Sequence, residues 1–122
     1  MATIKSYTDL EQSKKLAEIL PLESADYTRL GKDEDNVLTT PYLESCPSAL
    51  KAWIGENNIF PCWSFSALLG VLNFPSLTQE NENKWEVCVF DHNNDDYIEK
   101  TASNPVDACY EMILKLNELN ML

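Results

Sequence analysis

At 122 residues the chain has the length of one domain, 1–122, and is large enough to bury a hydrophobic core without disulfides or metals. Hydrophobic residues make up 44% and charged residues 24%, a balance that argues against global disorder. The net charge is −11, from 9 basic and 20 acidic side chains with no Lys/Arg cluster, so direct nucleic-acid binding is disfavoured.

Thr8-Asp9-Leu10-Glu11 reads as a capping box that opens a helix over about 9–20, with Thr8 as the cap and Pro21 as the stop. Leu10, Leu16, Ala17, Ile19 and Leu20 supply its apolar side, and Lys14 and Lys15 lie towards the other. The segment from Glu23 to Leu30 reads as a turn or short helix capped by Ser24 and ended by Gly31. After the polar link Asp33-Glu34-Asp35-Asn36, Val37 to Thr40 has the β-branched character of a short strand, which Pro41 ends. Ser45-Cys46-Pro47-Ser48 then suits the start of a helix of about two turns, with Leu50, Trp53 and Ile54 on one face.

Pro61-Cys62-Trp63-Ser64 leads into a segment that is apolar nearly all round, which predicts a buried helix over about 65–73 capped by Ser64 and closed by Pro75. Gly70 inside it is expected to permit close approach of a neighbouring element. Ser76 to Lys84 is polar and reads as a loop. Trp85 to Phe90 reads as a strand with Trp85, Val87 and Val89 on one face, and Tyr97 to Thr101 as the returning strand, so a hairpin spans about 85–101. The last element is a helix over about 105–120. Asn104 caps it, Pro105 takes its first position, and Val106, Cys109, Met112, Ile113, Leu116 and Leu119 repeat at helical spacing. Glu111 and Lys115 form an i,i+4 pair in the favourable order.

These elements predict an α+β fold, with a small antiparallel sheet packed against the helices. A hairpin alone is marginal in water. The sheet therefore takes a third strand, for which 37–40 is the candidate, or pairs with a second copy of the chain as a homodimer through a sheet edge or an apolar patch.

The four cysteines, Cys46, Cys62, Cys88 and Cys109, have wide, irregular gaps and no C-x-x-C pair, which argues against a structural zinc. Each lies in an apolar or semi-apolar segment, so all four are expected to be buried, reduced thiols. His92, the one histidine, sits in the hairpin turn, where exposure is the expected role rather than catalysis. Asp91-x-Asn93-x-Asp95 begins like a calcium loop, but Asp96 stands where the glycine belongs and Ala102 where the closing Glu belongs, so turn solvation is the better reading. Gly31, Gly55 and Gly70 form no phosphate loop, and Ser64 and Ser66 lack a G-x-S-x-G setting. No catalytic, cofactor-binding or metal-ligating residue is therefore assigned. Trp53, Phe60, Trp63 and Phe65 are expected to belong to the core rather than to a partner groove. The longest apolar run is too short to cross a bilayer and the N-terminus lacks an apolar signal region, so a cytoplasmic protein is expected.

Pro61-Cys62-Trp63-Ser64-Phe65-Ser66-Ala67-Leu68-Leu69 and Ser103-Asn104-Pro105-Val106-Asp107-Ala108-Cys109-Tyr110-Glu111-Met112-Ile113 together resemble segments of small uncharacterised proteins of Bacteroides-type gut bacteria, their prophages and phages. The order of elements from about Pro61 onward is similar to phage domains described as α-β-α sandwiches. These segments are caps and core positions, so the resemblance carries over no functional residue. It implies the setting of a prophage or mobile element, and with no catalytic signal among the residues the expectation is a non-enzymatic accessory or interaction protein with a protein as partner. An acidic inhibitor that mimics DNA is the alternative, and a small enzyme built on scattered carboxylates is the third.

Overall fold

A computed structural model describes residues 6–30, 37–39, 59–72 and 74–122. The class is α+β, as the pattern predicts. The chain divides into two compact units, one of them Tyr7–Ala67 and the other built on Leu68–Leu122. The predicted short helix after Cys46, with Trp53, lies outside the described residues.

In the Tyr7–Ala67 unit, helix α1 (Leu10–Ile19) begins one residue later than the capping box suggests. Asp9 is the cap: its Oδ1 accepts the Gln12 amide at 2.8 Å, and Gln12 Oε1 accepts the Asp9 amide at 3.1 Å. Thr8 cannot cap because its hydroxyl is already used, accepting the Trp63 amide at 3.1 Å and bonding Ser13 Oγ at 2.8 Å. The helix ends at Leu20, and Pro21 follows as expected. A 3₁₀ turn (Leu22–Ser24) precedes strand β1 (Tyr27–Leu30), where the sequence suggests a turn or short helix throughout. Tyr27 and Thr28 favour extended backbone, and β1 becomes the centre of a sheet.

Strands β2 (Val37–Thr39) and β3 (Ile59–Cys62) flank β1, both antiparallel, with Tyr27 opposite Thr39 on one side and Cys62 on the other. The strand expected at 37–40 therefore exists, but it joins this sheet and not the hairpin. Pro61-Cys62, read as the approach to a helix, is strand. Pro61 is tolerated because β3 is at the edge of this sheet, where its missing N–H breaks no ladder on the open side. Helix α2 (Phe65–Val71) then starts at Ser64, whose Oγ accepts the Ala67 amide at 3.2 Å. Gly70 is exposed, and a Cβ there would meet nothing within 4 Å, so no close approach explains it.

In the other unit, β4 (Ser76–Asn81), β5 (Lys84–Asp91) and β6 (Asp96–Ala102) form an antiparallel meander in that order. The hairpin is where the sequence places it; its third strand is β4, from the segment read as a polar loop. Five of the six β4 residues are exposed because it is an edge strand, and this hides the alternation that marks a strand. Only Leu77, opposite Val87, is half-buried. Asn81 Oδ1 accepts the Asn83 amide at 2.9 Å and closes the β4–β5 turn as an Asx turn.

Helix α3 (Pro105–Glu118) packs on β5 and β6. Asn104 Oδ1 accepts the Asp107 amide at 2.8 Å, as the predicted cap requires. Val106, Cys109, Met112, Ile113 and Leu116 are buried on the helix, and Val87 and Val89 are buried on β5. Leu119, read as part of the same stripe, is 42% exposed just past the helix end. Lys115 reaches forward to Glu118 at 3.8 Å, on the exposed side, rather than forming the expected pair with Glu111. Among the described residues no helix is long and apolar enough to cross a membrane.

Candidate functional site

Among the described residues, the side of β4–β5–β6 that carries neither Val87 nor Val89 brings a thiol and two carboxylates together. Strand alternation and register set its composition. Ser76, Cys88 and Glu99 form one cross-strand row, and Thr78, Glu86 and Thr101 form the next. Phe90 pairs with Tyr97 beyond Cys88, towards the β5–β6 turn.

Within these rows, Glu86, Cys88 and Glu99 converge. One ligand atom from each, two carboxylate oxygens and a thiol sulfur, lie within 4.8 Å of one another. Cys88 Sγ donates to Glu86 Oε1 at 3.3 Å. Desolvation pushes the Cys88 thiol up to about 11, with further contributions from that hydrogen bond and from the charges of Glu86 and Glu99. The thiol is half-buried, which corrects the expectation that every cysteine lies in the core. Cys62 and Cys109 fit that expectation, and burial alone pushes Cys109 up to about 12. Cys46 lies outside the described residues.

The aromatic end of the face is exposed. Tyr97 is 63% accessible and packs edge-on to Phe90 at 5.1 Å, and His92 packs edge-on to the same ring at 4.7 Å. His92 is thus an exposed turn residue, as its position suggests. Phe74, two residues ahead of Ser76, enters β4 at this same end and is 93% exposed, with a left-handed φ of 50°. For an aromatic residue that conformation is unfavourable, and hydrocarbon exposed to this extent gains nothing from water.

The calcium-like turn is used for its own backbone. Asp91 is buried; its Oδ2 accepts from the Asn94 side chain at 2.7 Å, and its Oδ1 accepts from the Asn93 amide at 2.9 Å. The Asn94 hydrogen bond is the main reason its carboxyl is held below the usual carboxylate range. Asp95 takes a positive φ of 51°, which Asp tolerates better than most residues.

Ser64 likewise serves structure: its hydroxyl donates to Asp26 Oδ2 while its oxygen caps α2. Trp63 is fully buried, and its Nε1 donates to Ser24 Oγ at 2.9 Å, so it belongs to the core. Phe65 is half-buried at the start of α2, and Phe60 lies in β3.

Reading residues singly misses the Glu86–Cys88–Glu99 grouping. Glu-x-Cys within a predicted strand puts two donors on one face. Bringing Glu99 opposite Cys88 also requires the register set by the turn His92–Asp95, which residue spacing alone does not give. No protein-family model, curated protein or solved structure matches the chain.

Proposed function

We propose that this chain is a non-enzymatic interaction domain that binds a cationic, arginine-rich segment of a partner protein on the outer face of β4–β5–β6. The observation that carries this reading is the placing of an exposed aromatic ring, Tyr97, on the same sheet face as two carboxylates. Tyr97 offers an exposed ring at one end, edge-on to Phe90, and Glu86 and Glu99 supply charge in the adjoining rows. Guanidinium groups stack on aromatic rings and form bidentate bonds to carboxylates, so arginine suits such a face better than lysine. Residues 68–122 carry ten Asp/Glu side chains against three lysines, which steers a basic partner towards this half of the sequence. The prophage or mobile-element setting rests on the sequence resemblance alone.

Titration with a fluorescent oligo-arginine peptide at moderate salt tests the reading. Binding is expected, with an oligo-lysine peptide of equal charge clearly weaker. The double variant Tyr97→Ala/Glu99→Gln is expected to weaken arginine-peptide binding by at least tenfold. Equal binding of both peptides, or no change in the double variant, would reduce the attraction to net charge and overturn the proposal.

A further inference from the structure

We propose that Glu86, Cys88 and Glu99 form a binding site for a thiophilic divalent cation of the zinc type, with solvent completing the coordination sphere. This goes beyond the partner-binding reading and does not depend on it, although it uses the same two carboxylates, so a bound cation and a bound guanidinium exclude each other there.

The geometry is that of a donor set brought together by strand register. Cys88 and Glu99 are direct cross-strand partners on β5 and β6, and Glu86 projects from the same face two residues before Cys88. Zinc holds thiolate sulfur at about 2.3 Å and carboxylate oxygen at about 2.0 Å, so a tetrahedral site sets its sulfur and oxygen about 3.5 Å apart. Cys88 Sγ and Glu86 Oε1 stand at 3.3 Å, close to that edge. All three donor atoms fall within 4.8 Å of one another, and the exposed Glu99 carboxylate closes the remainder by side-chain rotation.

The electrostatics point the same way. Among the described residues neither Glu86 nor Glu99 has a cationic side chain within ion-pairing distance, and the nearby Lys84 is engaged by Glu80 at 3.0 Å. Among the described residues, two carboxylates therefore face one thiol with no cationic partner, an arrangement that a divalent cation relieves directly. The sulfur distinguishes this grouping from an ordinary solvated acidic patch. A patch of oxygens takes magnesium or calcium, whereas a thiolate with two carboxylates selects zinc, cobalt or cadmium. Binding replaces the thiol proton with the metal and releases the proton to solvent.

The test is titration of the reduced full chain with Co²⁺, followed by absorbance, and with Zn²⁺, followed by calorimetry. One equivalent is expected, with a thiolate-to-cobalt charge-transfer band that zinc bleaches and millimolar magnesium does not. The band is expected to vanish in Cys88→Ser and to persist in Cys46→Ser. Glu99→Gln is expected to weaken zinc at least tenfold while leaving the sheet folded by circular dichroism. Absence of a band, or a band that survives in Cys88→Ser, overturns the site. So does a cobalt affinity unchanged in Glu99→Gln. The arginine-peptide measurement is made without metal, so either result can fail while the other stands.

Discussion

Around Trp63, in the Tyr7–Ala67 unit, burial comes with hydrogen bonds; in residues 68–122 the buried surface is mostly hydrocarbon from two periodic elements. Trp63 has its indole N–H on Ser24 and its amide on Thr8, which in turn bonds the buried Ser13 and accepts the Cys62 thiol at its carbonyl. Along α3 and β5, by contrast, Val87, Val106, Met112 and Ile113 are all fully buried. The two designs fail differently. A core of hydrocarbon loses stability in proportion to the volume removed, whereas a buried polar network loses it by leaving donors and acceptors unmatched.

Shortening the helix face is the strongest way to break this contrast. Met112→Ala is expected to lower the free energy of unfolding by about 2–5 kcal/mol in urea denaturation, as deletions from packed cores do. A loss below about 1 kcal/mol would mean that α3 does not supply the core of its unit.

Thr8→Val probes the other design, because it keeps the shape and removes only the hydroxyl. The Trp63 amide and Ser13 then lose a partner while buried, and a loss of about 1–3 kcal/mol is expected, with Thr8→Ser restoring most of it. A neutral Thr8→Val would show that packing, and not hydrogen bonding, holds this region. The smallest effect belongs to neither unit's core. Gly70→Ala in α2 places a methyl group where nothing lies within 4 Å, and is expected to stabilise the chain by about 0.5–1 kcal/mol through helix propensity.

The same contrast explains how much of the molecule is legible in sequence. Helix α3 and the β5–β6 hairpin announce themselves because their buried residues recur at helical or alternating spacing. Asn104, Pro105 and the Asp91–Asp96 turn are local signals that need no distant partner. Around Trp63, Thr8 looks like a helix cap until Trp63 claims its hydroxyl, and Gln12 and Ser13 are buried where only Leu16 and its neighbours declare an apolar face. Pro61 suggests a break, but its edge position makes it strand. β4 escapes notice for the opposite reason, since an edge strand with one half-buried side chain has no alternation to read. The Glu86–Cys88–Glu99 grouping lies between these cases, half visible on β5 and completed only by register.

The bonds between Thr8 and Trp63 join positions 55 residues apart in the chain. Closing so long a loop is slow relative to forming a hairpin, because its entropy is lost before the contact is gained. The β4–β5–β6 meander, whose neighbouring strands are joined by short turns, has no such delay. On a ribosome the order of events is set more sharply still: Thr8 is made before its partner and must wait, its hydroxyl on water, until Trp63 has left the exit tunnel. Helix α1 is thus synthesised well ahead of the residue that locks it in place.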